Sequence, residues 1–155
     1  MSTGRPIAID LDALGDTRRL WNDWVESAEA VLGIDPASLP ADRGDAATTL
    51  DRDGAGNWRT LLERFAEDRA PAYLRRNATA SAALRSLATE GRTLGVFTDA
   101  PEPLARVALA QLGADRRVNA VETGSGALER LLPRLGEDAL VVRTLEALRD
   151  AAARS

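Results

Sequence analysis

The feature that most constrains this chain is a long interruption in an otherwise regular rhythm. A short apolar run, Arg5-Pro-Ile-Ala-Ile-Asp10, reads as a buried strand ending in an acid. The next comparable run, Thr93-Leu-Gly-Val-Phe97, begins more than 80 residues later. After it the alternation is tight: a helix opened by Pro101, a strand near Val118 to Val121, a helix after Gly124-Ser125-Gly126, a strand at Ala139 to Val142, and a helix from about Thr144 to Ala153. Short strands alternating with helices of about three turns predict a parallel sheet covered on both faces. One crossover helix is far shorter than the gap between the first two strands, so that gap must hold a helical insertion.

The insertion reads in pieces. Asp16 or Thr17 caps a helix whose apolar stripe is Trp21, Trp24, Val25, Ala28, Val31 and Leu32, stopped at Gly33. Residues 34 to 57 carry Pro36, Pro40, Gly44, Gly54 and Gly56 and read as an irregular, mobile stretch. Trp58, Leu61, Leu62, Phe65 and Ala66 form a second stripe, interrupted at Pro71, and a third helix starts at Asn77 or Thr79 and ends at Gly91. The three tryptophans read as packing between these helices. Asp51-Arg-Asp53-Gly-Ala-Gly56 does not complete a calcium loop, because Ala55 and Leu62 stand where oxygen ligands are needed.

Parallel sheets place ligands at the carboxyl ends of their strands. Asp10, Thr98 and Arg143 all fall at such ends, with Asp12 and Asp99 beside them. Composition narrows the chemistry open to them. The chain has no Cys, no His and no Lys, so all 20 basic side chains are Arg. Thiol nucleophiles, Ser-His-Asp triads, histidine metal sites and Schiff bases are thereby excluded. A net charge of −4 argues against nucleic acid as a partner. No apolar run approaches the ~20 residues of a membrane helix. The opening Met-Ser-Thr-Gly-Arg-Pro carries no apolar signal region, so the cytoplasm is expected. The Ala, Arg, Leu, Asp and Gly bias resembles that of a GC-rich bacterial genome.

Ile7-Ala-Ile-Asp10-Leu-Asp12, a helical insertion, and then Gly95-Val-Phe-Thr98-Asp99 resemble the haloacid dehalogenase (HAD)-like superfamily in its phosphatase-type form with a small helical cap. The resemblance implies a three-layer Rossmann-like core with a short parallel sheet of order 3-2-1-4. Residues 1–16 and 78–155 would form that core and residues 17–77 the cap. It implies Asp10 as nucleophile forming an aspartyl-phosphate, Asp12 as acid/base, Thr98 with Asp99 as the phosphate-binding end of strand two, and magnesium held by Asp10 and Asp12. The family's third motif, a Lys or Arg, and its fourth, an acidic pair that helps hold the metal, are degenerate. Ala13-Leu14 replaces a Gly-Thr, and Arg143-Thr144-Leu145 stands where the acidic pair belongs. Arg143, pairing with Asp10 or Asp12, and Arg130, reaching from its helix, are the candidates for the missing charge.

Two functions follow. The first is a catalytically impaired HAD-like protein, a pseudoenzyme that binds a small phosphorylated molecule or a protein partner. The alternative is an active magnesium-dependent phosphatase of a small phosphorylated metabolite. Dehalogenation fits less well, since Asp12 is a phosphatase mark.

Overall fold

The computed structural model describes residues 4–154. Four strands form one parallel sheet in the order β3-β2-β1-β4. They are β1 (Ile7–Asp10), β2 (Leu94–Thr98), β3 (Ala120–Thr123) and β4 (Leu140–Val142). Register pairs Ile7 with Leu94 and with Leu140, so β1 lies between β2 and β4. Ile7, Ala8, Ile9, Leu94 and Val96 are fully buried, as strands covered on both faces require.

Three helices fill the gap between β1 and the helix leading to β2. They are α1 (Thr17–Leu32), α2 (Arg43–Arg52) and α3 (Trp58–Tyr73), followed by α4 (Ala78–Thr89). Asp16 caps α1 by accepting from the Arg18 and Arg19 N–H groups, and Gly33 closes it at φ 68°. The Trp21, Trp24 and Trp58 rings pack in series, with centroids 5.3 and 6.1 Å apart. These rings share one core cluster with Ile7, Ile9, Leu94 and Val96, so the insertion is not packed as a separate body, while Ala8 and Phe97 pack with Ala127 and Leu131 in a second cluster. The later crossovers are α5 (Glu102–Gln111) and α6 (Ala127–Leu135), and α7 (Leu145–Ala153) follows β4. Among the described residues no helix is long and apolar enough to cross a membrane.

Two local expectations need correction. Residues 34 to 57 are not irregular throughout: Pro36–Ser38 is a 3-10 turn and Arg43–Arg52 is a helix. Gly44, Thr48 and Thr49 give α2 weak intrinsic propensity, and docking against the rest of the fold overrides it. Pro71 does not interrupt α3, which runs on to Tyr73. Close to a helix end, a proline's missing N–H removes one bond without breaking the turns before it.

Candidate functional site

The sheet brings the carboxyl ends of β1, β2 and β4 to one opening. At the end of β1 the chain makes a 3-10 turn over Leu11–Ala13. The Asp10 carboxylate accepts the Asp12 N–H at 2.9 Å, and the Leu14 and Gly15 N–H groups both donate to the Leu11 carbonyl. Among the described residues none other than glycine takes a positive φ, so Ala13 in place of the family's Gly leaves this turn unstrained.

Asp12 is held on both sides. Its Oδ1 accepts from the Thr17 N–H at 3.0 Å and from the Thr17 hydroxyl at 2.6 Å. Its Oδ2 accepts from Arg43 Nη2 at 3.4 Å. Arg43 is the residue that sequence reasoning missed. It opens α2 and is only 1% exposed. Its Nε donates to Asp99 Oδ1 at 2.8 Å and its backbone N–H to Asp99 Oδ2 at 3.1 Å. Its Nη1 donates to the Thr17 hydroxyl at 2.8 Å, and Nη2 also reaches the Thr98 hydroxyl at 3.4 Å. A planar five-donor fork suits such a ring of oxygens better than an ammonium would. The signal available in the sequence was Asp42-Arg-Gly-Asp45, an N-cap pattern inside a stretch rich in turn residues.

Docking of α2 explains how Arg43 reaches so far in. Gly44 packs so closely on the β3–α6 loop that a Cβ there would fall 2.1 Å from the Ser125 nitrogen. The Ser125 hydroxyl lies between the Asp42 and Asp45 carboxylates, at 2.7 and 2.8 Å. Arg18 adds a strap, donating to the Ala41 carbonyl at 2.9 Å and to Asp99 at 3.2 Å.

The other expected residues separate. Thr98 is 3% exposed, and its hydroxyl also accepts the Ala100 N–H at 3.1 Å. Asp99 faces Arg43 and Arg18. Burial pushes its carboxyl up, but the Arg43 charge and hydrogen bonds outweigh this and hold it below the usual carboxylate range. Arg143 Nη1 lies 3.9 Å from Asp10 Oδ2, while its guanidinium lies over the Phe97 ring at 5.3 Å and its side chain stays 61% exposed. Burial raises Asp10 above the ordinary range. The Asp12 N–H lowers it, the Asp12 charge raises it further, and Arg143 and Arg43 pull it back in part. Arg130 turns to Glu122 at 3.1 Å and to the Ser125 and Thr123 carbonyls.

What remains open is a cavity of about 400 Å³. Five carboxylates line it (Asp10, Asp12, Asp42, Asp99 and Glu129) against three guanidiniums, from Arg18, Arg43 and Arg143. That balance is the reverse of what a phosphate pocket needs when no metal is counted.

Sheet order, register, and acids at the end of the first strand followed by a helical insertion define a HAD-like, Rossmann-type fold. No family model and no curated protein sequence matches the chain. Among solved structures, the chain resembles CbbY from Rhodobacter sphaeroides, determined in complex with phosphate. The TM-score is 0.65 at 15% identity, covering 88% of this chain and 76% of that one.

Proposed function

We propose that this chain is a HAD-like protein whose phosphohydrolase site is closed by its own Arg43, and that it acts by binding a ligand or a protein partner rather than by turnover. The observation that carries this is the buried Arg43 guanidinium on Asp12, Thr98 and Asp99. The acid/base role asks Asp12 to exchange a proton with substrate. Both of its oxygens are already committed, one to Thr17 and one to Arg43. The phosphoryl anchor role asks Thr98 to face an incoming oxygen, and it is buried beneath the same guanidinium.

The residues do not fit the magnesium that the family generally uses. A hard dication wants several free, negatively charged oxygens in near-octahedral array. Here Asp12 faces Arg43, Asp10 has Arg143 at its edge, and the position of the acidic pair is Arg143-Thr144. Among the described residues no group of three or more metal-ligating side chains converges.

One observation favours the alternative, an active phosphatase of a small phosphorylated metabolite. Asp10 keeps a quarter of its side chain exposed to the cavity, as a nucleophile must. A panel of phosphate monoesters, with and without magnesium, on the native protein and Asp10→Asn separates the two. The proposal expects native turnover no higher than that of Asp10→Asn. Turnover that Asp10→Asn abolishes establishes the phosphatase instead.

A further inference from the structure

The way α2 is held is unlike the way the other inserted helices are held. α1 anchors itself with Leu20, Trp21, Trp24, Val25 and Ala28 in the core. α3 contributes Trp58 and Leu62 and packs along α1 and α5. α2 lies closely along no helix or strand among the described residues, and its apolar anchor is Ala46, Ala47 and Leu50. Its N-terminal turn is fixed by polar contacts instead, Arg43 in the strand-end opening and Asp42 with Asp45 around Ser125.

The C-terminal flank suits a pivot, because Asp51 at the end of α2 stays tied to Trp58 Nε1 and to Arg59 at the start of α3 at 2.9, 2.6 and 2.8 Å. A 3-10 turn at Pro36–Ser38 precedes α2, and Gly54 and Gly56, at φ 67° and 63°, follow it with open space around them. Glycine at positive φ lets the backbone change direction at little steric cost.

We propose that α2 is an autoinhibitory latch: it opens as a unit about these flanks, withdrawing Arg43 and uncovering Thr98 together with the Arg43-facing oxygens of Asp12 and Asp99. The proposal deepens, and rests on, the reading of Arg43 as the occupant of the site. It follows from burial. Thr98 is 3% exposed and Arg43 1%, and the Thr98 hydroxyl and the Asp12 Oδ2 both face the seated guanidinium. Any ligand that uses those groups must displace the guanidinium, and α2 carries it. Opening exposes Ala46, Ala47 and Leu50, a smaller apolar anchor than the tryptophans and leucines of α1 and α3, and water satisfies the released donors and acceptors.

Hydrogen exchange followed by mass spectrometry tests this without a substrate. In the native protein, amides of residues 42–52 should exchange through a local opening, at least about tenfold faster than those of β1 and β2 at equal intrinsic rates. Arg43→Ala should speed the α2 amides by about tenfold or more and leave the sheet amides the slowest in the chain. Ser125→Ala, which removes the second contact and spares Arg43, should speed the same segment less. The proposal is overturned if native α2 exchanges only together with the sheet. It is also overturned if Arg43→Ala speeds both equally, or if neither substitution moves α2. Because exchange reads opening and the phosphomonoester panel reads turnover, the latch and the closed-site reading fail separately.

Discussion

The coupling between Arg43 and Asp99 can be sized from its surroundings. Arg43→Ala removes a guanidinium that is 1% exposed and takes a shared cation from Asp12 and Asp99. Removing one partner of a buried ion pair typically costs about 3–5 kcal/mol. Here the two carboxylates keep 34% and 25% of their side-chain surface in water, so solvent recovers part of that cost. The expected loss is therefore about 2–3 kcal/mol, below the usual range for a fully buried pair. Asp99→Asn leaves Arg43 with Thr17, Thr98 and a longer bond to Asp12, at a similar cost. The double variant should lose less than the sum, with a coupling of roughly 1.5–3 kcal/mol. Urea unfolding of the four proteins, analysed with a common slope, measures it. Losses that add to within about 0.5 kcal/mol would refute the argument, because independent sites behave that way.

Three other outcomes follow from the same contacts. Asp10 is raised in the folded state, so its stabilising contribution is present below its unfolded pKa and is lost as pH rises through the folded one. Asp10→Asn should therefore melt higher than the native protein at pH 7, with the gap closing toward about pH 3. Asp99, held low, contributes stability above its unfolded pKa that is lost as pH falls through the folded one, so Asp99→Asn should show the opposite trend. Melting curves across that range decide both, and a lower melting temperature for Asp10→Asn at pH 7 refutes the first. Gly44→Ala, ordinarily a gain in a helix, should destabilise by about 1–3 kcal/mol, because the new Cβ meets the Ser125 and Gly124 backbone. A variant as stable as the native protein in urea would show that the loop yields. Trp58→Ala should cost about 3–5 kcal/mol, since that ring is 1% exposed and packs on Trp24. It should leave one cooperative transition, and calorimetry resolving two would refute a shared core.

The four strands were legible as short apolar runs bounded by glycine stops, and their order came from the resemblance that the Asp10-x-Asp12 placement carries. The end of α1 was legible for the same reason, with Asp16 and Gly33 bracketing a clear stripe. α2 was not. Gly44, Asp45, Thr48 and Thr49 weaken it, proline and glycine bracket it, and its burial depends on docking that no window of sequence contains. Missing α2 also hid Arg43, because a lone arginine in a loop has no periodicity to betray burial. The sequence pointed to Arg143, whose position after β4 is local information. The structure sets it at the rim of Asp10 and gives the interior to an arginine from 33 residues beyond Asp10 in the chain.

The most direct measurement is a crystal structure grown with magnesium and inorganic phosphate. The account predicts Arg43 seated on Asp99, Asp12 and Thr98, with no octahedral ion between Asp10 and Asp12. An octahedral ion bridging those two acids, whether Arg43 is seated or withdrawn, would contradict it.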